Sequence, residues 1–384
     1  MNQKTKMQGT RVWIEGVDHY RVCEPLFESV RIVLSYRGEK YSPEYIQGIS
    51  GAAFRIAGIC PCAPTCSTAM QPEELARLLG YEVRRLILED KDAGHIKALA
   101  DAFQTNAGVL PGEDKLDSPQ VKEMRGQLIR IIDEVKNEIR AGRPAIVWHA
   151  FTAAEFDVVV GFDDDKGTFL GRGSYAGTAT ELASAPQART VTAVYIGGPP
   201  GAILLGEKVR PFDARAAEIA ALKEVVRHAR SQENKEKLGG KEWVMLQGLM
   251  CYDRWIQDFK DPAKKLAAGD AYCYGVYRST HKAAAGFLRE IAPKHRKARK
   301  ELEDAAERFD AEAAALATGE ALLWWSAPEG PDAARNERAV KMLTEARAHY
   351  ARGIESIEHA LAHIEAGQDT AQPGDPPEAG GPRR

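Results

Sequence analysis

Apolar positions recur at helical spacing in some stretches of this chain and form short alternating or continuous runs in others. Phe27, Val30 and Leu34 follow Pro25 at three- and four-residue intervals. This predicts a helix opened by a proline whose missing N–H falls among the unpaired donors of a first turn, and closed at Gly38. Ser42-Pro43-Glu44 predicts a second helix start, with Ser42 as its cap. Further helices are expected from Gln71 to Leu79, ended by Gly80, over Ile96–Phe103, and from Pro119 to Arg140 with Leu128, Ile131, Ile132 and Val135 on one face. Between and after them Arg11–Ile14, Glu82–Leu88, Ala145–Trp148, Phe156–Val160, Thr168–Leu170 and Val191–Ile196 read as strands. Residues 163–167 form a hairpin-type connection and residues 197–201 a turn.

From Pro211 the strand pattern stops. Asp213–Ser231, Glu242–Phe259, Ala271–Ile291, Lys294–Thr318 and Ala333–Ala366 are helical in pattern. Leu343, Ala346, Tyr350, Ile354, Ile357, Leu361 and Ile364 make a three-four stripe, matched by Leu302, Ala306, Phe309, Ala313 and Leu316, as in a helical hairpin. The Pro-, Gly- and Asp-rich residues 367–384 are expected to be disordered. The organisation expected is therefore an α+β domain over residues 9–206, an all-helical domain over 211–366, and a tail.

Composition narrows the function classes. The 384 residues suit two cores, and 44% hydrophobic with 28% charged residues is a soluble globular balance. A net charge of -3 implies no general attraction to nucleic acid or to anionic membranes. There is no run of about 18 apolar residues, so no membrane partner is expected. The N-terminus lacks an apolar core of the secretory kind, and with six cysteines this points to thiols in a reducing cytoplasm.

Two local constellations carry chemistry. Cys60, Cys62 and Cys66 lie within seven residues, and three thiolates this close suit zinc or another soft metal with a fourth ligand from elsewhere. Only the Cys62–Cys66 interval has a usual zinc spacing, and the alternative is a proline-stiffened loop of inert thiols. His149 ends one predicted strand and Glu155 opens the next, which would set an acid/base pair at one end of a hairpin; the alternative is a strand-end histidine against Trp148. Other features reduce to ordinary structure. Asp163–Asp165 lack the spaced ligands of a calcium loop, and Gly171–Gly177 lacks the strand–glycine–helix order of a dinucleotide loop. No glutamate follows His359, so His359 and His363 do not form the zincin pattern, and the aromatic set Trp243, Tyr252, Trp255, Tyr272, Tyr274 and Tyr277 has core spacing.

Three segments resemble a known group. These are Val33-Leu34-Ser35-Tyr36-Arg37-Gly38, Ile49-Ser50-Gly51-Ala52-Ala53-Phe54-Arg55, and the strand pair Glu155-Phe156-Asp157-Val158-Val159-Val160-Gly161-Phe162-Asp163. Together they are similar to the papain-like bacteriocin-processing cysteine peptidases. The similarity is greater to the butirosin biosynthesis protein H N-terminal domain family, which often carries a helical extension. The resemblance implies a papain-like fold of bacterial origin, and an acyltransferase or amide hydrolase in which a cysteine at the first helix attacks a carbonyl. A strand-opening histidine would take its proton, and backbone N–H groups of the helix start would hold the oxyanion. In this chain the cysteine slot, about Pro25–Glu28, holds no cysteine, and Cys23 lies two residues earlier. The histidine slot falls at Glu155, and the slot for the orienting residue falls at Gly171-Arg172-Gly173. Cys23, His149 and Glu155 are thus the catalytic candidates, and Glu28, Phe54, Arg55 and Arg172 the binding candidates. The expectation is a papain-like protein without the standard Cys–His pair that binds a small molecule, a peptide or an acyl-carrier domain in a cleft between its domains, with no cofactor beyond zinc at the cysteines. The alternative is acyl transfer or amide hydrolysis by a non-standard site.

Overall fold

The structure is a computed structural model that describes residues 5–22, 24–58, 70–90, 94–174, 181–196, 198, 200–231, 234–238 and 241–368. In chain order its elements are strands β1 (Thr5–Gln8) and β2 (Arg11–Ile14), helices α1 (Pro25–Tyr36) and α2 (Pro43–Ile49), and the two-residue strand β3 (Ala57–Gly58). Helix α3 (Pro72–Leu78), strand β4 (Tyr81–Ile87), and helices α4 (Gly94–Thr105) and α5 (Pro119–Arg140) follow. Next come strands β5 (Ala145–Trp148), β6 (Phe156–Asp163), β7 (Thr168–Arg172), β8 (Ala183–Pro186) and β9 (Gly201–Lys208). Helix α6 (Ala214–Ala229), strands β10 (Asn234–Leu238) and β11 (Lys241–Gln247), and helices α7 (Leu249–Phe259), α8 (Ala268–Ile291), α9 (Arg299–Ala317), α10 (Glu320–Leu323) and α11 (Ala333–Gln368) complete it. The chain is mixed α+β, with an antiparallel sheet and a helical C-terminal region. No helix among the described residues is long and apolar enough to cross a membrane.

Contacts divide the chain into two units, residues 1–52 with 68–217, and residues 53–67 with 218–384. The division therefore differs from the expected cut between 206 and 211: residues 53–67 belong with the C-terminal half, and the boundary runs through α6. The second unit is not all-helical either, because β10 and β11 form a hairpin that β3 extends to three strands. Glu242–Phe259, expected as one helix, is a strand up to Gln247, a break at Gly248, and a helix from Leu249. Gly248 has φ +56, which a continuous helix excludes.

In the first unit an eight-stranded antiparallel sheet runs β1-β2-β6-β5-β9-β4, with β7 added beside β6 and β8 beside β7. β6 is its centre, pairing with β5 along Phe156–Val159 and with β2 from Gly161 to Asp163, while β7 pairs along Val158–Asp163. Val158, Val159, Val160 and Phe162 are all buried, so β6 reads as an apolar run and not as an alternation. Gly161 is required there, because a Cβ would stand 2.6 Å from the Val12 carbonyl oxygen. α1 and α5 both pack on β5 and β6. Val191–Ile196, expected as a strand, lies in a 3-10 helix over Gln187–Ile196 that buries Ala188, Thr190, Val191 and Ala193. Packing at three-residue intervals overrides the strand preference of its valines.

The second unit is built on α8, α9 and α11, the last two forming the expected hairpin with Phe309, Leu316, Tyr350, Ile354 and Ile357 fully buried. Tyr252, Trp255, Tyr274 and Tyr277 are buried side chains, so these members of the aromatic set line its core.

Candidate functional site

The start of α1 is where the first unit concentrates charge. Pro25 occupies the first helical position, and the cap is Glu24, in extended backbone, whose carboxylate accepts from Leu26 N at 3.2 Å and Phe27 N at 3.1 Å. Two of the four orphan donors of the helix are satisfied this way. Gln47 Nε2 of α2 donates to the same carboxylate at 3.2 Å. Glu24 is only 5% exposed, and burial pushes its carboxyl up to about 7, against the hydrogen bonds that favour the anion.

Three more carboxyl groups act with Glu24 on one phenol. Tyr20 donates to the Phe156 carbonyl at 2.7 Å; burial, and then the fields of Asp157, Glu28, Glu155 and Glu24, hold its proton on far above the usual range. Glu28 is buried and ion-paired to Arg31 at 2.7 Å, while Arg21 N donates to it at 3.0 Å. Arg31 in turn donates to Asp18 at 2.9 Å, so Glu28 anchors the segment that precedes α1. Asp157, fully buried on β6, accepts from Phe151 N at 2.7 Å, Thr152 N at 2.8 Å and Ser174 N at 3.1 Å, which fastens the β5–β6 turn and the end of β7 to the strand. Burial raises its carboxyl to about 6 despite those donors.

His149 and Glu155 do meet, but through their backbones. His149 N donates to the Glu155 carbonyl at 2.7 Å, closing the hairpin, with His149 at φ +59. The imidazole is otherwise engaged. Ala154 N donates to Nδ1 at 3.0 Å, so Nδ1 carries no proton and Nε2–H points to Thr192 Oγ1 at 2.9 Å. Thr192 Oγ1 passes its own proton to the Arg189 carbonyl at 2.8 Å. Burial, reinforced by the Arg189 cation, holds His149 down to about 4, so it is neutral at physiological pH and serves as a strut of the turn.

The remaining candidates are scattered. Arg172, at the end of β7, donates to the carbonyls of Val17 at 3.3 Å and Glu181 at 3.4 Å. Phe54 and Arg55 belong to the second unit, where Phe54 packs edge-on against Phe287 and Phe309. Cys23, Cys60, Cys62 and Cys66 lie outside the described residues. Among the described residues no group of three or more His, Cys, Asp or Glu is arranged to hold a metal. Glu24, Tyr20 and Asp157 were not singled out from sequence. Asp157 had a signal, a lone acid inside an apolar strand; Glu24 had a weaker one, an acid directly ahead of Pro25. No protein-family model matches the chain, and no curated protein matches it.

Proposed function

We propose that the first unit is a papain-like scaffold without a working Cys–His pair, and that it binds a small molecule, a peptide or a carrier domain. The observation that carries this reading is the Glu24 carboxylate on the N–H groups of Leu26 and Phe27. A thiol acyl transfer draws on donors at this helix start to hold its oxyanion, and here an acid fills them. The imidazole that would serve as base is committed to Ala154 and Thr192. Cys23, next to Glu24 in sequence, then behaves as an ordinary thiol.

Exposure of the full-length protein to p-nitrophenyl acetate tests this, with intact-mass analysis of the wild type and Cys23→Ser. The expected result is no acyl adduct at Cys23, together with iodoacetamide labelling that slows about tenfold per pH unit below roughly 8, as for a free thiol. Stoichiometric acylation of Cys23, or rapid labelling at pH 6, would replace the binding reading with acyl transfer or amide hydrolysis. A thermal-shift panel of amines, peptides and carrier domains then identifies the ligand class.

A further inference from the structure

Arg55 begins as an oddity of hydrogen bonding. It sits in the second unit between a 3-10 turn over Ala52–Phe54 and β3, and is 8% exposed. Its Nε is fully buried and has no hydrogen-bond partner among the described residues. The carboxylate whose field acts on it is Glu224 on α6, and Glu224 is already held by Arg227, whose Nε donates at 2.6 Å and whose Nη2 donates as well. The neighbouring Arg230 is likewise committed, to Glu358 at 3.0 Å. Arg55 is thus a largely buried cation whose Nε has no acceptor among the described residues and which has no carboxylate of its own among them, an arrangement that costs stability unless something else supplies the anion.

The backbone around it is, by contrast, fastened at every residue. The Tyr350 hydroxyl donates to the Phe54 carbonyl at 2.8 Å, and His281 Nε2 donates to the Arg55 carbonyl at 3.0 Å. Ile56 N lies 3.1 Å from His228 Nε2, and Gly248 N donates to the Ile56 carbonyl at 2.8 Å. The Tyr277 hydroxyl bridges the N–H and the carbonyl of Ala57, at 3.1 and 2.9 Å. Side chains from α6, α8 and α11 thereby fix a four-residue peptide whose one long polar side chain is left unmatched. Rigid backbone under an unpaired guanidinium is the build of an anion site, since the fork geometry of Arg suits carboxylate and phosphate alike and little entropy is lost when they bind. Burial lowers the Arg55 pKa to about 10, which still leaves it charged at neutral pH.

We propose that Arg55 anchors an oxyanion-binding site in the second unit, taking the phosphate or carboxylate end of a small ligand. This is independent of what the first unit does. The test titrates the full-length protein with inorganic phosphate and, separately, with acetate, against chloride at matched ionic strength. Phosphorus NMR and melting temperature are the readouts for the wild type, Arg55→Met and Arg55→Lys. Saturable binding by the wild type is expected, weakened about tenfold or more in Arg55→Met and less in Arg55→Lys. A response to phosphate alone assigns a phosphorylated ligand, to acetate alone a carboxylate, and to both an oxyanion of either kind. In chloride, Arg55→Met should melt no lower than the wild type, because it removes an unmatched charge. Absence of binding by either anion, equal binding by Arg55→Met, or a melting temperature several degrees lower for that variant in chloride would each overturn the site.

Discussion

His281, on α8, is buried at 0% exposure with an acceptor on each ring nitrogen. Nδ1 stands 2.7 Å from Glu312 Oε1, and Nε2 stands 3.0 Å from the Arg55 carbonyl oxygen. A carboxylate and a carbonyl can only accept, so both nitrogens must donate and the ring is an imidazolium. Burial works against that charge, but the Glu312 anion, its hydrogen bond and the Arg55 carbonyl outweigh it and raise the pKa above 6.5. The ring is stacked against Tyr350, and Tyr252 donates its hydroxyl proton to the same Glu312 oxygen. Replacing His281 by Gln leaves Glu312 as a buried anion without its cation, a loss of about 3–5 kcal/mol. At roughly 2–4 °C per kcal/mol for a unit of this size, the melting temperature should fall by about 6 °C or more at pH 6. Because the folded pKa is raised, the histidine's contribution is complete below about 6.5 and declines above it, by up to about 1.4 kcal/mol per pH unit until the folded pKa is passed. Melting curves of wild type and His281→Gln from pH 5 to 9 read this slope. A gap between the two that narrows as the pH falls from 7.5 to 5 would mean that the folded ring is neutral, and would refute the reasoning.

Glu24 carries the opposite sign from an ordinary surface acid. With its carboxyl raised to about 7, its contribution is complete below roughly 4.3 and is lost as the pH climbs to 7, by up to about 4 kcal/mol. Glu24→Gln should therefore gain on the wild type between pH 4.5 and 8, and a difference in melting temperature that is constant over that range would exclude the shift. Gly248→Ala places a methyl 2.5 Å from the backbone of Ala229 and His228 at a positive φ, so denaturant titration should show a loss of about 2 kcal/mol or more.

What could be read from the residues follows from how local each determinant is. α5 was legible to its ends because Ser118 caps it, Pro119 opens it, and its apolar face is unbroken. β5 and β6 were legible from their valines. The 3-10 turn at Val191 was not, because burial of Ala188, Thr190, Val191 and Ala193 decided it against the local pattern, nor was the strand over Lys241–Gln247, whose pairing with β10 and β3 no helical period registers. His149 and Glu155 were rightly expected at one hairpin, yet periodicity says nothing of ring orientation, and the imidazole turns to Thr192. Glu24 escaped notice since glutamate is an uncommon cap. Arg55 entered through resemblance alone; its missing acceptor is a property of the folded surroundings, which no spacing encodes.

The fastening of residues 54–57 has a consequence for synthesis on the ribosome. The acceptor at Phe54 waits for a hydroxyl 296 positions downstream, and the carbonyl of Arg55 for an imidazole 226 positions away. At about 5–20 residues per second, roughly 15–60 s pass between the synthesis of Phe54 and that of Tyr350. For the first part of that interval Phe54 and Ile56 lack their later neighbours His228, Gly248, Phe287 and Phe309. The emerging N-terminal half therefore carries these apolar side chains uncovered until the residues of the second unit that pack on them are made.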